Sequence, residues 1–136
     1  GTILAFDYGS KYLGVAVGQA ITCSASPLNH LKMRDGGPPW DSIAALLEQW
    51  QPSCVVVGLP LNMDTTESEM SRRARRFANR LNGRFGVKVE LQDERLSSFE
   101  AKDRLSLQGE ERTRGGAIDS LAAVLILELW LSQQLH

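Results

Sequence analysis

At 136 residues, 43% of them hydrophobic, the chain is the size of one globular domain with apolar material for a single core. Its longest apolar run, Leu121 to Leu127, is far too short for a bilayer span, and two cysteines with two histidines exclude a disulfide framework and a zinc centre. The net charge of −1 hides a segregation: six of the 15 basic residues are arginines at 72, 73, 75, 76, 80 and 84, a stretch without an acid, which points to one local anion-binding surface.

In chain order, residues 2–7 and 13–18 read as a β-hairpin around a glycine-bounded turn, with Ile21 to Leu28 as a third strand. Arg34-Asp35-Gly36-Gly37-Pro38-Pro39 is a breaker. From Trp40, the residues Ile43, Leu46, Leu47 and Trp50 recur at helical spacing until Pro52. Cys54 to Pro60 is a β-branched run, hence a buried strand with a sharp exit. Thr66 and Glu69 have capping-box spacing and open a second helix with Met70, Ala74, Phe77, Ala78 and Leu81 inside, closed by Asn82-Gly83. Val87 to Gln92 alternates, with Val87, Val89 and Leu91 inward, as a half-exposed edge strand. Ser97 and Glu100 open a third helix to about Leu107, and a charged loop leads to a last helix from near Ile118 through Leu131, with Asp119 in its first turn.

Trp40, Trp50 and Trp130 fall at apolar helical positions and are expected in the core, not as base-stacking platforms. Cys23 and Cys54 sit in apolar strand-like runs and read as small buried hydrophobes of a reducing, cytoplasmic environment. No basic-then-apolar export signal is expected at the N-terminus. Strands followed by βα alternation predict one α/β domain over residues 1–136, a mixed sheet covered by helices.

Asp7 is the most informative residue. It ends the apolar strand Ile3-Leu4-Ala5-Phe6, where an unpaired charge is expensive to desolvate, and Gly9 and Gly14 leave the adjoining turn open to a phosphate. A turn-forming Asp is the alternative. Asp93, Glu94 and Asp119 also stand at element ends. Carboxylates that converge repel one another and attract a divalent cation, and oxygen donors without His or Cys suit Mg²⁺ or Mn²⁺. A cation held there can activate water for phosphodiester hydrolysis. Three unrelated caps would leave the same pattern.

Asp7-Tyr8-Gly9 with Leu13-Gly14-Val15-Ala16, then Gly58-Leu59-Pro60-Leu61-Asn62-Met63-Asp64, then Asp93-Glu94-Arg95-Leu96-Ser97-Ser98, then Ile118-Asp119-Ser120-Leu121-Ala122-Ala123 together resemble the YqgF/RuvX family. Its members are bacterial proteins described as pre-16S ribosomal RNA nucleases or Holliday-junction resolvase-like proteins. The likeness spans essentially the whole chain. It implies a ribonuclease H-like fold with a mixed five-stranded sheet flanked by helices, and Asp7 as a metal-binding catalytic acid. It also implies Glu94 or its neighbour Asp93 as the second acid and Asp119 as the third. Adjacent strand residues face opposite ways, and the implied strand lies two places from the first, a gap of about 10 Å that favours the longer Glu94. Tyr12 stands where the family usually carries Arg, and Thr65 where it carries Gly.

Lys11, Arg95 and Arg114 are placed to meet a scissile phosphate, with carboxylate pairing as the alternative. Arg72 and Arg76 represent a nucleic-acid-facing helix side or a solvated one. The resulting expectation is a Mg²⁺- or Mn²⁺-dependent endonuclease, monomer or homodimer, with precursor rRNA, free or within ribosomal precursor particles, as its partner and no membrane association. A resolvase of branched DNA and a non-catalytic RNA-binding assembly or transcription factor are the competing readings. An actin-like phosphotransferase shares a similar first hairpin, but 136 residues lack the second domain needed to enclose ATP.

Overall fold

β1 (Thr2–Tyr8) is the middle strand of a five-stranded sheet in the computed structural model, which describes residues 1–35, 37–60, 68–93 and 115–134, the side chains of 115–119 excepted. The remaining strands are β2 (Tyr12–Gln19), β3 (Ser24–Lys32), β4 (Cys54–Leu59) and β5 (Val89–Asp93), in spatial order β3-β2-β1-β4-β5. β1, β2 and β3 pair antiparallel, whereas β4 and β5 continue parallel from β1. The sheet is mixed, and β5 lies two places from β1, as the family resemblance implies. Three helices are described: α1 (Trp40–Trp50), α2 (Glu69–Phe85) and α3 (Gly115–Gln133).

Strand alternation divides the core into two halves. Leu4, Phe6, Leu13, Val15, Val55 and Val57 meet Ile43 of α1 and Ala74, Phe77, Ala78 and Leu81 of α2. Ile3, Ala5, Ala16 and Val56 point the other way, onto Ala123, Ile126, Leu127 and Trp130 of α3. On the first face the Phe77 ring meets Phe6 edge-on at 5.7 Å and stacks on Trp40 at 5.7 Å. All three tryptophans pack on apolar clusters, Trp130 buried and Trp40 and Trp50 partly so. No described helix is long and apolar enough to cross a membrane.

Several boundaries differ from the sequence expectations. β3 begins at Ser24, because Cys23 takes a left-handed conformation (φ 52°) that turns the chain, and Ile21 is 90% exposed in that turn. Cys23 is therefore half-buried and not a core residue. The cap of α2 is Ser68, not Thr66 with Glu69: Ser68 Oγ accepts from the Ser71 amide at 3.0 Å, and Ser71 Oγ accepts from the Ser68 amide at 2.7 Å. This reciprocal box satisfies two otherwise orphaned N–H groups. Ser71 is buried in the inner stripe, where Met70 is only half-buried. The helix runs through Asn82-Gly83 and ends at Gly86, whose φ of 66° accommodates a left-handed C-cap. In β5 Gln92 is buried and Leu91 is 37% exposed, the reverse of the polarity expectation. α3 starts at Gly115, so Asp119 is its fifth residue and no acid lies in its first turn. The helix expected from Ser97 to Leu107 lies outside the described residues.

Gly18 lets α3 approach β2. A Cβ there would stand 2.7 Å from the Ser24 carbonyl oxygen and 2.9 Å from Leu127 Cδ2. Gly18→Ala should therefore destabilise the protein by about 1–3 kcal/mol, the scale of overpacking a filled core, read as a lower urea midpoint.

Cys54 is buried, and its thiol donates to Glu90 Oε2 at 3.8 Å. Burial first, and then the Glu90 charge, push its pKa up to about 11. The unfolded chain loses that proton at a lower pH than the folded one. Stability should thus be unaffected by this group at neutral pH and fall as pH rises from about 9 towards 11. Denaturation midpoints of wild type and Cys54→Ala across that window should diverge in slope.

Candidate active site

Asp7 is not a turn residue. It sits inside the β1–β2 ladder, registered on Gly14, and is only 6% exposed. Alternation from Ile3 and Ala5 puts its side chain on the face covered by α3. Phe6 is registered on Val57, which sets Gly58 beside Asp7 on the other flank. Gly58 is in turn registered on Gln92 of β5. The carboxylate is therefore flanked on both neighbouring strands by residues without side chains, a floor about 10 Å wide at strand spacings of ~4.8 Å.

The N-terminal part of α3 is fixed over this end of the sheet by Ser120. Its hydroxyl donates to the Leu28 carbonyl at 3.0 Å and accepts from the Val15 amide at 3.4 Å. Both partners flank an irregularity in β2–β3 pairing: Leu13 is registered on Leu31 but Val15 on Leu28, so three steps of β3 oppose two of β2. Such a bulge leaves ladder groups unpaired, and the serine hydroxyl occupies the gap. Ser120 is 5% exposed, and Val15 adjoins Gly14, the cross-strand partner of Asp7.

The turn of α3 that carries Asp119 is thereby brought to the face and end of the sheet that carry Asp7. As fifth residue of the helix, Asp119 does not cap it. Asp93 is registered on Leu59, whose side chain belongs to the α1–α2 core, so Asp93 lies on the opposite face from Asp7. Glu94 and the side chain of Asp119 lie outside the described residues. Among the described residues no three acid, His or Cys side chains form a cluster. The described donor at this point of the sheet is the Asp7 carboxylate, whose oxygens suit a hard divalent cation. Cys54, on the same face, is registered on Ile3, four residues and about 13 Å down the strand.

The basic candidates separate in space. Lys11 is exposed in the β1–β2 turn, where its carbonyl accepts from the Met33 amide at 2.9 Å. Arg72 and Arg76 are exposed on α2, which covers the face opposite Asp7. Ser68 Oγ donates to the Pro60 carbonyl at 2.8 Å, so α2 starts at the exit of β4, the same end of the sheet as Asp7. Arg73 pairs with Glu69 at 3.1 Å, and Arg84 lies 4.4 Å over the Trp40 ring. Arg72 and Arg76 form no ion pair among the described residues. Arg95 and Arg114 lie outside the described residues. Sequence reasoning missed Ser120 and Gln92 as buried polar residues; a serine opening an otherwise apolar helical run was the available signal for the first.

A mixed sheet with an acid on its central strand, helices on both faces and a C-terminal helix over that acid defines the ribonuclease H-like fold. Solved resolvases share it over nearly the whole chain. T. thermophilus RuvC in complex with a Holliday junction substrate is 15% identical, covers 98% of this chain and 95% of its own, and gives a TM-score of 0.55. The fowlpox virus resolvase with Holliday junction DNA is 15% identical, covers 100% of each chain and gives 0.60. The chain belongs to the RuvX family, described as Holliday junction resolvase, whose profile matches residues 1–133. A relative from Shewanella denitrificans, named "Putative pre-16S rRNA nuclease", is 57% identical over 98% of this chain and 95% of its own. Relatives of the same name from Shewanella oneidensis and Yersinia pestis are 58% and 54% identical over 93% and 98% of this chain, and 91% and 96% of theirs.

Proposed function

We propose that this protein is a divalent-metal-dependent endonuclease that hydrolyses phosphodiester bonds in structured nucleic acid, foremost precursor 16S rRNA during ribosome assembly in the cytoplasm. The observation that carries the reading is Asp7: a buried carboxylate inside a β-ladder, between two glycines, under the helix that bears Asp119. The family's curated relatives, over half identical, support the substrate class. Asp7, Glu94 and Asp119 are the acids that would hold Mg²⁺ or Mn²⁺. Glu94 is favoured over Asp93 because Asp93, registered on Leu59, shares the face opposite Asp7. Bound there, the cation would supply Lewis-acid activation of water and phosphate.

The chain's own groups then orient the substrate. Gly14 and Gly58 let the sugar-phosphate backbone approach Asp7 without steric opposition. Lys11, Arg95 and Arg114 neutralise the phosphates around the scissile bond. Arg72 and Arg76, on the far face of the sheet, grip a distant part of the same molecule, in solution or within a precursor particle. One substrate must then reach both faces, which suits a folded RNA. The family description supports a second reading, resolution of branched DNA, which calls for paired cuts and a symmetric dimer.

Asp7→Asn should lower Mn²⁺-supported cleavage of a 5′-extended 16S precursor fragment by about 10²-fold or more with the fold retained; full activity in that variant would sink the mechanism. A four-way DNA junction serves as the competing substrate, and preference for it by a dimeric protein would favour resolution. Arg72→Ala with Arg76→Ala should leave the cleavage rate at saturation near wild type. RNA affinity should weaken, and the slope of log affinity against log salt should flatten by about 1–2, as for two lost phosphate contacts.

A further inference from the structure

We infer that Ser120 is a positioning residue for the metal site, an inference that rests on the nuclease reading above. A buried hydroxyl inside a helix ordinarily returns its hydrogen bond to the helix's own preceding turn. Ser120 instead reaches out of α3 and ties two strands, donating to Leu28 and accepting from Val15 across separations of 92 and 105 residues. Val15 and Leu28 are the registered pair that borders the β2–β3 bulge. A hydroxyl both donates and accepts, which a backbone carbonyl and a backbone amide together require.

The consequence for the site is geometric. Ser120 follows Asp119 directly, and Val15 follows Gly14, the cross-strand partner of Asp7. The Ser120 linkage therefore sets where the Asp119 turn sits relative to the strand pair that holds Asp7. Ala123, Ile126, Leu127, Trp130 and Leu131 pack the helix on the sheet from its next turn onward, an apolar contact that fixes no direction. At the turn before them Ser120 adds two hydrogen bonds of fixed direction to the border of the bulge. A metal held by carboxylates from separate elements is sensitive to such shifts, and supporting groups outside the ligand set carry about 10–100-fold in affinity.

The test is Mn²⁺ titration of the full chain by calorimetry, without substrate, for wild type, Ser120→Ala, Ser120→Cys and Asp7→Asn. Ser120→Ala is expected to weaken Mn²⁺ binding about tenfold or more while folded. In cleavage assays it should lower kcat with little change in KM for RNA. Ser120→Cys, which keeps similar volume and a weak donor, should fall between the two. A Ser120→Ala protein with a lower melting temperature but wild-type Mn²⁺ affinity overturns the inference, since that is all a purely structural serine would show. If Ser120→Ala does not fold, Ser120→Cys decides: affinity reduced about threefold or more supports positioning, and unchanged affinity overturns it. Failure of the underlying reading looks different: wild type binds no Mn²⁺, or Asp7→Asn binds it equally well.

Discussion

A carboxylate in the central strand of a sheet covered on both faces imposes a condition on everything around it. β1 has α1 and α2 on one side and α3 on the other, so water cannot serve as the general solvent for Asp7. An ionised group so placed costs several kcal/mol unless charge or hydrogen bonds compensate. The sheet meets that condition on one face only. The face of Leu4 and Phe6 packs on the apolar stripe of α2, while that of Asp7 is opened by Gly14 and Gly58 and covered by the helix that carries Ser120. Stability and chemistry thus draw on alternate residues of the same strands.

Much of this was legible in the sequence because the strongest signals were periodic. The alternation that makes Phe6 face one way and Asp7 the other, the β-branched run of β4 and the Ala74-Phe77-Ala78-Leu81 stripe all survive in the structure. What the sequence concealed depends on backbone conformation or on distant pairing. Cys23 looked like part of a strand because nothing in its apolar neighbours announces a left-handed residue. Asn82-Gly83 looked like a helix end, yet a glycine costs only about 1 kcal/mol inside a helix and Leu81 is already anchored in the core. Ser120 stood out only as a serine opening an apolar helical run; what it binds is defined by a bulge some hundred residues away.

The two-sided sheet also separates holding from cutting. Arg72 and Arg76 of α2 and the acid of β1 lie on opposite faces, yet α2 begins at the same sheet end where Asp7 sits. Four residues of helix rise bring Arg72 only about 6 Å from the Ser68 cap. Binding strength can then change along α2 without disturbing Asp7, because the described inner side chains of α2 pack on the opposite face. The contacts that complete the catalytic face, by contrast, join residues 15 and 28 to residue 120, so that face assembles only when the end of the fold docks on its beginning.

The bulge in β3 has one more effect. β3 is an outermost strand, and a long, regular, exposed strand would present a row of backbone groups to any other chain of the same sequence. The extra residue breaks the regular spacing of that row, and Pro27 withdraws one N–H from it altogether. At the other border, β5 is only five residues long, with Glu90 paired to Lys88 at 3.4 Å. The irregularity that receives the Ser120 hydroxyl therefore also deprives the sheet of a template for edge-to-edge growth. This keeps a largely apolar five-stranded sheet from serving as a seed for fibrils.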